Sequence, residues 1–305
     1  LMIGVALLWS CTRTNPAGSN VVPSVNTPFS PQYTLSELDS SLVYTQAANI
    51  VGEVDEVAEA SGMVASVHNP GKLWTHNDGG DESILFLLDG SSANLLRKYK
   101  VLAKNEDWED IAMSSDALTG TTHLWVADIG DNLKVRSSYS IYRIVEPFAT
   151  GGDTSTLEIL NPVSEYTFTY PDGPQNAETL MIDPLNGELI IVTRGEEGLV
   201  YSADPAASTT GILTFTYRGK LPVSGITGGD VSRNGNLVLL RTYSEILLWT
   251  RLPGQTVVEA LGNTPELLPY NQEPQGEAIC WGVNGYYTIS ERVGQPLPKL
   301  YHYPE

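Results

Sequence analysis

The sequence predicts an all-β protein, a β-propeller of five four-stranded blades in which an N-terminal strand closes the last blade. Three observations predict it. A unit of about fifty residues recurs along the chain, which is a propeller-blade repeat length. Gly (28) and Tyr (15) are abundant, and turn residues divide the chain into short apolar runs of strand character. The fifth copy of the unit stops one strand short, at Glu305, while a strand-like run stands unassigned ahead of the first copy.

Each copy starts with an acidic residue, followed by an apolar strand, a turn, and a second apolar strand with a polar end. The first opens at 59–63 (EASGM) and continues at 73–78 (LWTHND). The second opens at 108–113 (WEDIAM) and continues at 124–128 (LWVAD). The third has 176–181 (NAETLM) and 189–194 (LIIVTR). The fourth has 228–232 (GGDVS) and 237–241 (LVLLR), and the fifth 275–280 (QGEAIC) and 286–291 (YYTISE). Third strands are read at 84–88, 139–143, 199–201, 246–249 and 299–303. The leading acids, Glu59, Asp110, Glu178, Asp230 and Glu277, stand 51, 68, 52 and 47 residues apart. The long interval fits an insertion around 150–156, where Gly and Thr cluster. The strand missing from the fifth copy is supplied by 41–51 (SLVYTQAANIV), which joins the ends of the ring and protects its sheet edges. Trp74, Trp108, Trp125, Trp249 and Trp281 fall in strand patterns and are expected in the core.

Aspartate and glutamate outnumber lysine and arginine by 36 to 17, a net charge of −19. No basic run offsets this surface, which argues against nucleic acid as a partner. Residues 2–9 (MIGVALLW) are too short an apolar run to span a bilayer and suit a signal-peptide core. The run ends in Leu8-Trp9-Ser10-Cys11, which resembles a bacterial lipobox except for the bulk of Trp9. Residues 1–11 are therefore read as signal core and lipobox, 12–40 as a flexible tether and 41–305 as the propeller. On this reading Cys11 carries a lipid, and the protein is an exported monomer of the cell envelope, at the outer membrane or cell surface, touching membrane only through that anchor. The alternative is a non-lipidated signal with an incidental cysteine. Cys280, the second of two cysteines, is expected as a buried thiol on an inner strand.

In a propeller the innermost strands line a central channel. The leading acids and the ends of the second strands should converge on one mouth. Oxygen-rich donors there favour calcium or magnesium over zinc. The candidate metal ligands are Asp110, Glu178, Asp230, Glu277, Asp128 and Asp131. The candidate ligand-binding residues are Glu59, His76, Asn77, Asp78, Asn132, Arg194, Arg241, Glu291 and Arg292. Plainer roles stand beside these. Acids at strand starts hydrogen-bond turn amides, the NDGG and IGDN segments are ordinary hairpin turns, His76 suits a core, and the arginines suit ion pairing with the acids. No Gly-x-Ser-x-Gly nucleophile motif is present, and no catalytic residue is assigned.

The phrases NDGG, WEDIA, WVADIGDN, YRIVEP, YPDGPQNAETLMIDPLNGELIIVTR and GEAI together resemble a family of uncharacterised bacterial secreted propellers, over about residues 55 to 295. More loosely, the chain is similar to phytase-like (esterase-like) propellers and to the NHL and strictosidine-synthase-like group. That similarity rests on the leading acids and implies a calcium-dependent esterase or phosphoesterase. Three functions are carried forward: a module that binds a ligand or partner at an acidic channel mouth, with calcium; a calcium-dependent hydrolase of phosphate or carboxylic esters; and a glycosidase, which needs two carboxylates at a defined separation.

Overall fold

The computed structural model describes residues 27–305, apart from 117, 150–153, 155 and 295. The signal core, lipobox and Cys11 lie outside the described residues. Strand β1 (Asn49–Glu53) comes first in the chain but belongs to the last blade. Blade 1 is β2 (Ala60–Ala65), β3 (Lys72–Asn77), β4 (Ile84–Asp89) and β5 (Leu95–Val101). Blade 2 is β6 (Trp108–Ser115), β7 (Thr122–Asp128) and β8 (Tyr139–Val145), with β10 (Ser164–Phe168) outermost. Between β8 and β10 the chain leaves its own blade. There β9 (Leu157–Leu160) pairs in parallel with β5 and adds a fifth strand to blade 1. The insertion read at 150–156 thus leads into a strand that covers a neighbour's edge.

Blade 3 is β11 (Ala177–Ile182), β12 (Leu189–Thr193), β13 (Gly198–Ala203) and β14 (Thr216–Leu221). Blade 4 is β15 (Ile226–Val231), β16 (Leu237–Thr242), β17 (Ile246–Thr250) and β18 (Glu266–Leu268). A short helix, α1 (Val257–Leu261), lies between the last two and is held by a capping box of Thr256 and Glu259. Blade 5 is β19 (Gly276–Trp281), β20 (Tyr286–Ser290) and β21 (Lys299–Tyr303), completed by β1 antiparallel to β21. The closing strand therefore falls at the end of the expected 41–51 segment and just beyond it. The inner strands β2, β6, β11, β15 and β19 pack each against the next, and β19 against β2, so the ring is closed.

Apolar side chains gather between blades rather than around one centre. Trp74 and Leu85 of blade 1 meet Trp108 and Leu124 of blade 2. Trp125 and Tyr139 meet Leu180 and Tyr201 of blade 3, and Met181 and Ile190 meet Val238 and Trp249 of blade 4. Leu239 and Ile246 meet Ile279 and Trp281 of blade 5, which turns Ala278 and Cys280 against Met63 and Leu73. A sheet buried on both faces has no polar side to show. For that reason β7, β11, β12 and β19 are buried at every position, and their sequences run apolar instead of alternating. The five tryptophans are all in these interfaces, and Trp74, Trp108 and Trp249 donate their indole N–H to oxygens of Glu146, Lys104 and Asn263 at 2.8–2.9 Å. Cys280 is a buried, free thiol.

Part of the stretch read as tether lies on the ring. Phe29 makes a parallel bridge with Gly219 of β14, and Phe29, Tyr33, Leu35 and Leu38 pack on the core between blades 3 and 4. A Cβ on Gly219 would stand 2.4 Å from the Phe29 carbonyl oxygen, so this docking needs glycine there.

Candidate functional site

All five inner strands carry a bulge one step in from the channel mouth. The register slips between Ala60 and Met63, Trp108 and Asp110, Ala177 and Thr179, Ile226 and Gly228, and Gly276 and Ala278. A bulge bends its strand and re-aims a side chain. The residue after the first paired position is Ser61, Glu109, Glu178, Thr227 and Glu277 in blades 1 to 5. The acids that share this position are thus Glu109, Glu178 and Glu277.

The reading from sequence put Asp110 and Asp230 in this set. The structure places them deeper in the channel, as braces between blades. Asp110 accepts from the backbone N–H of Ile111 and of Leu180 in blade 3, at 2.8 and 2.9 Å. Asp230 accepts from Val231 and from Trp281 of blade 5, both at 2.8 Å. Burial raises both carboxyls, Asp230 to about 7. Glu59 is exposed on the rim, and at the aligned position Ser61 Oγ donates to the Glu109 carbonyl at 2.7 Å.

Around Glu109 the other acids close in. Oxygens of Asp78, Asp107 and Glu109 lie within 4.8 Å of one another. Asp78 ends the β3 hairpin, and Asp107 sits in the loop leading into β6. Two glycines make room for them. A Cβ on Gly130 would stand 2.2 Å from Glu109 Oε1 and 2.4 Å from Asp107 Oδ2, and one on Gly79 would stand 2.1 Å from Asp107 Oδ1. Across the mouth Arg194 bonds Glu178 Oε1 at 2.5 Å and stands 3.9 Å from Glu277. Arg194 also donates to the Tyr243 hydroxyl, which donates to Glu277 Oε1 at 2.8 Å. Glu291 accepts from Gln275 at 2.7 Å and faces Glu277. Asn176 reaches both Glu178 and Asn132, at 3.4 and 3.2 Å. Glu178 is 2% exposed, and its Oε2 has no hydrogen-bond partner.

So many acids around one guanidinium hold protons. Burial, then the charges of Glu178, Asp78, Asp107 and Glu277, push Glu109 well above the usual carboxylate range. Burial raises Glu178 to about 8 against the pull of Arg194. Burial and Glu277 raise Glu291 to about 8, and burial raises Asp78 to about 7. A carboxyl raised by folding stabilises the fold below its unfolded pKa, and that stability is lost as pH rises through the folded value. His76 works the other way: burial lowers it to about 4, so its influence lies below pH 6.5. Between pH 6.5 and 8.5 the acids act alone. With solvent screening, the cation-free protein should lose about 2 kcal/mol across that window. Thermal melts in chelator at the two pH values check this; a flat or rising melting temperature contradicts the charge crowding.

The remaining sequence candidates have other work. Asp128 pairs with Arg136 at 2.7 Å and accepts from the backbone N–H of Glu106 and Asp107, so it shapes the loop that carries Asp107. Asp131 accepts from Val135, Arg136 and the Tyr139 hydroxyl at 2.8–2.9 Å. Both hold the β7–β8 hairpin rather than facing the cluster. His76 is fully buried edge-on to Trp108, with Nδ1 on the Asn77 carbonyl at 2.8 Å. Asn77 ties the Glu59 backbone to Asp81. Arg241 is sealed between blades 4 and 5 on Glu273, Tyr270 and the Ala278 carbonyl. Arg292 reaches Asp55 at 3.6 Å on the outer rim. Sequence reasoning missed Glu109, Asp107 and Tyr243. Aligning WEDI with AETL and GEAI on the apolar fourth letter finds Glu109; nothing in the sequence marks Tyr243.

No family model and no curated protein matches the chain. Among solved structures, a gluconolactonase from Xanthomonas campestris is similar at 14% identity with a TM-score of 0.42, over 82% of this chain and 74% of that one. A likeness of that size says nothing about chemistry.

Proposed function

We propose that the chain is a ligand-binding propeller of the cell envelope, anchored through Cys11, whose channel mouth holds a divalent cation. The observation that carries this reading is the cluster of Asp78, Asp107 and Glu109 oxygens within 4.8 Å, backed by Glu178 with an unpartnered, buried Oε2. Calcium–oxygen bonds of roughly 2.3–2.6 Å let oxygens at such separations share one ion after small adjustments. The donors are all oxygen, and the one nearby imidazole, His76, is sealed off, so calcium fits better than zinc. A cation there would replace the protons that crowding now retains. It would also turn an acidic funnel into one that accepts an oxyanion, with Arg194 as the second positive group.

Isothermal titration of the purified protein with calcium at pH 8 tests the reading. Saturable binding in roughly the micromolar to millimolar range, weaker by tenfold or more at pH 6, supports it. No heat at about 10 mM calcium removes it.

A specific observation favours a second reading, a calcium-dependent hydrolase of phosphate or carboxylic esters. Glu178 and Glu291 keep protons near neutral pH beside the triad, which is the state of a group that protonates a leaving oxygen. Calcium-stimulated turnover of p-nitrophenyl acetate or p-nitrophenyl phosphate distinguishes it from binding alone. The glycosidase reading needs two carboxylates at a defined separation, and the crowding of Glu291 by Glu277 does not by itself supply such a pair.

A further inference from the structure

At the end of blade 2 away from the mouth, polar side chains gather on one face of the sheet. His123 and Trp125 of β7 share that face, being two residues apart. Arg143 of β8 stands opposite Trp125, and Ser114 of β6 stands opposite His123. The Trp125 ring joins them: its indole N–H donates to Ser114 Oγ at 2.8 Å, and the Arg143 guanidinium lies over it at 5.6 Å from the centroid. Tyr166 stacks on the same ring at 5.6 Å and fixes it. His123 is near the start of β7 and Asp128 ends it, so the group lies roughly 17 Å from the mouth end of the strand.

These side chains offer donors and meet no acceptor. Arg143 has no hydrogen bond or ion pair to any described side chain. Each other described arginine that is not exposed is paired with a carboxylate. His123 is 9% exposed, and neither ring nitrogen has a partner among the described residues. Ser114 Oγ accepts from Trp125, which leaves its own proton to be donated elsewhere. Arg143 Nε is sealed without a partner, whereas the terminal guanidinium nitrogens and the imidazole nitrogens stay open to water. Burial and then the Arg143 charge lower His123, against the pull of Asp116. Asp116 is exposed and commits Oδ1 to the N–H groups of Leu118 and Thr119. A chain of net charge −19 has carboxylates enough to pair Arg143, yet none lies within bonding distance among the described residues.

We infer that Ser114, His123 and Arg143 form a second binding site, for the phosphoryl group of a phosphate monoester. The guanidinium fork matches two oxygens of such a group, and the imidazole N–H and serine O–H serve the others. A carboxylate has only two oxygens and leaves donors unmet. A neutral ligand leaves the guanidinium without a counter-charge. The bound anion also relieves the field that Arg143 sets against His123. The site lies apart from the mouth and does not depend on a cation being held there.

Histidine NMR of the purified protein in chelator tests it, with inorganic phosphate, glycerol 3-phosphate and acetate as probes. Both phosphates should shift the His123 ring signals saturably at roughly millimolar concentration and raise the pH at which they titrate, because a bound anion favours the imidazolium. The signals of His68, His76 and His302 should stay in place. Arg143→Gln should weaken binding roughly tenfold or more, with a melting temperature at or above that of the parent, since Arg143 gives up no bond within the protein. Arg143→Lys keeps the charge without the fork and should fall between the two. No His123 response at about 50 mM phosphate overturns the inference, as does a response that Arg143→Gln leaves intact. Acetate acting as strongly as phosphate overturns the ligand class. A response to inorganic phosphate but not to glycerol 3-phosphate leaves an adventitious ion only and overturns it too. Vesicles containing phosphatidic acid separate the two sources of such a group. Cosedimentation that Arg143→Gln abolishes assigns a lipid headgroup, and binding of glycerol 3-phosphate without cosedimentation assigns a soluble ester; either supports the site. Because chelator is present throughout, failure here leaves the calcium reading untouched, and failure of calcium binding leaves this one untouched.

Discussion

Replacing Glu109 with glutamine should lower the calcium affinity of the mouth by roughly a hundredfold and leave the cation-free protein as stable as before. The two halves of this expectation come from one fact. Glu109 is 3% exposed, and burial together with the charges of Glu178, Asp78, Asp107 and Glu277 pushes its carboxyl well above the usual carboxylate range, which favours the neutral acid when no cation is present. A glutamine has the shape and hydrogen-bonding capacity of that neutral acid, so it should fit without strain between Gly130 and Ser61. Once a cation arrives the carboxylate is needed as a charged ligand, and the amide supplies only a dipole. Losing a buried charged partner costs about 2–5 kcal/mol, and about 3 kcal/mol corresponds to the hundredfold stated. Calorimetry at pH 8 reads the affinity, and urea unfolding in chelator reads the stability. Equal affinity in the variant would show that the triad does not hold the ion. Asp110→Asn serves as the contrast. Asp110 accepts two backbone N–H groups at 2.8 and 2.9 Å, so this change should disturb blade docking without acting on the cation directly.

Arg241→Ala should destabilise the protein by about 3–5 kcal/mol, the largest single-site loss expected away from the tryptophans. Arg241 is completely buried. Its guanidinium donates to the Ala278 carbonyl at 2.8 Å, the Tyr270 hydroxyl at 2.7 Å and Glu273 at 3.1 Å, and it lies over the Tyr270 ring. Alanine would leave a void, an unpaired carbonyl and the Glu273 carboxylate, whose side chain is 2% exposed, without its counter-charge. In a protein of this size that is a fall of roughly 10 °C in melting temperature. The double change Arg241→Met with Glu273→Gln should recover much of the loss, because removing both charges costs far less than stranding one. If the single variant melted within about 2 °C of the parent, the Arg241–Glu273 pair would be solvated in solution and would not hold blade 4 to blade 5.

The ring was legible in the sequence because each blade repeats turn, apolar run and turn at similar spacing, and because the fifth unit visibly lacked a strand. The third strands at Ile84, Tyr139, Ile246 and Lys299 start where they were read. The candidate site was legible as a region and misread by one residue in blade 2. In WEDIA both Glu109 and Asp110 are acidic, and a strand without a bulge gives no reason to prefer one. The added residue at the bulge decides it, and a register slip leaves no mark in composition. Blade 4 misled differently. Asp230 is the acid of its opening strand, but the bulge position belongs to Thr227, whose hydroxyl donates to the Gly276 carbonyl at 3.0 Å. Asp128 and Asp131 show a third limit: acids in a hairpin look alike whether they face a ligand or fasten their own loop to Arg136, Val135 and Tyr139.

The sheet that closes the ring joins Asn49–Glu53 to Lys299–Tyr303, so its pairing ties the first strand of the propeller to the last. Blade 1, in turn, receives its outermost strand from residues 157–160. Contacts of such sequence separation form late and slowly, because the entropy of closing a very long loop must be met before they return anything. A growing chain can stack its middle blades as they emerge. It cannot complete the first until the second has been made, nor the fifth until both ends are free to meet. The same pairing works in reverse under load: pulling the two ends apart should strip the Phe29–Leu38 stretch from blades 3 and 4, then unzip β1 from β21 and peel the blades away in sequence.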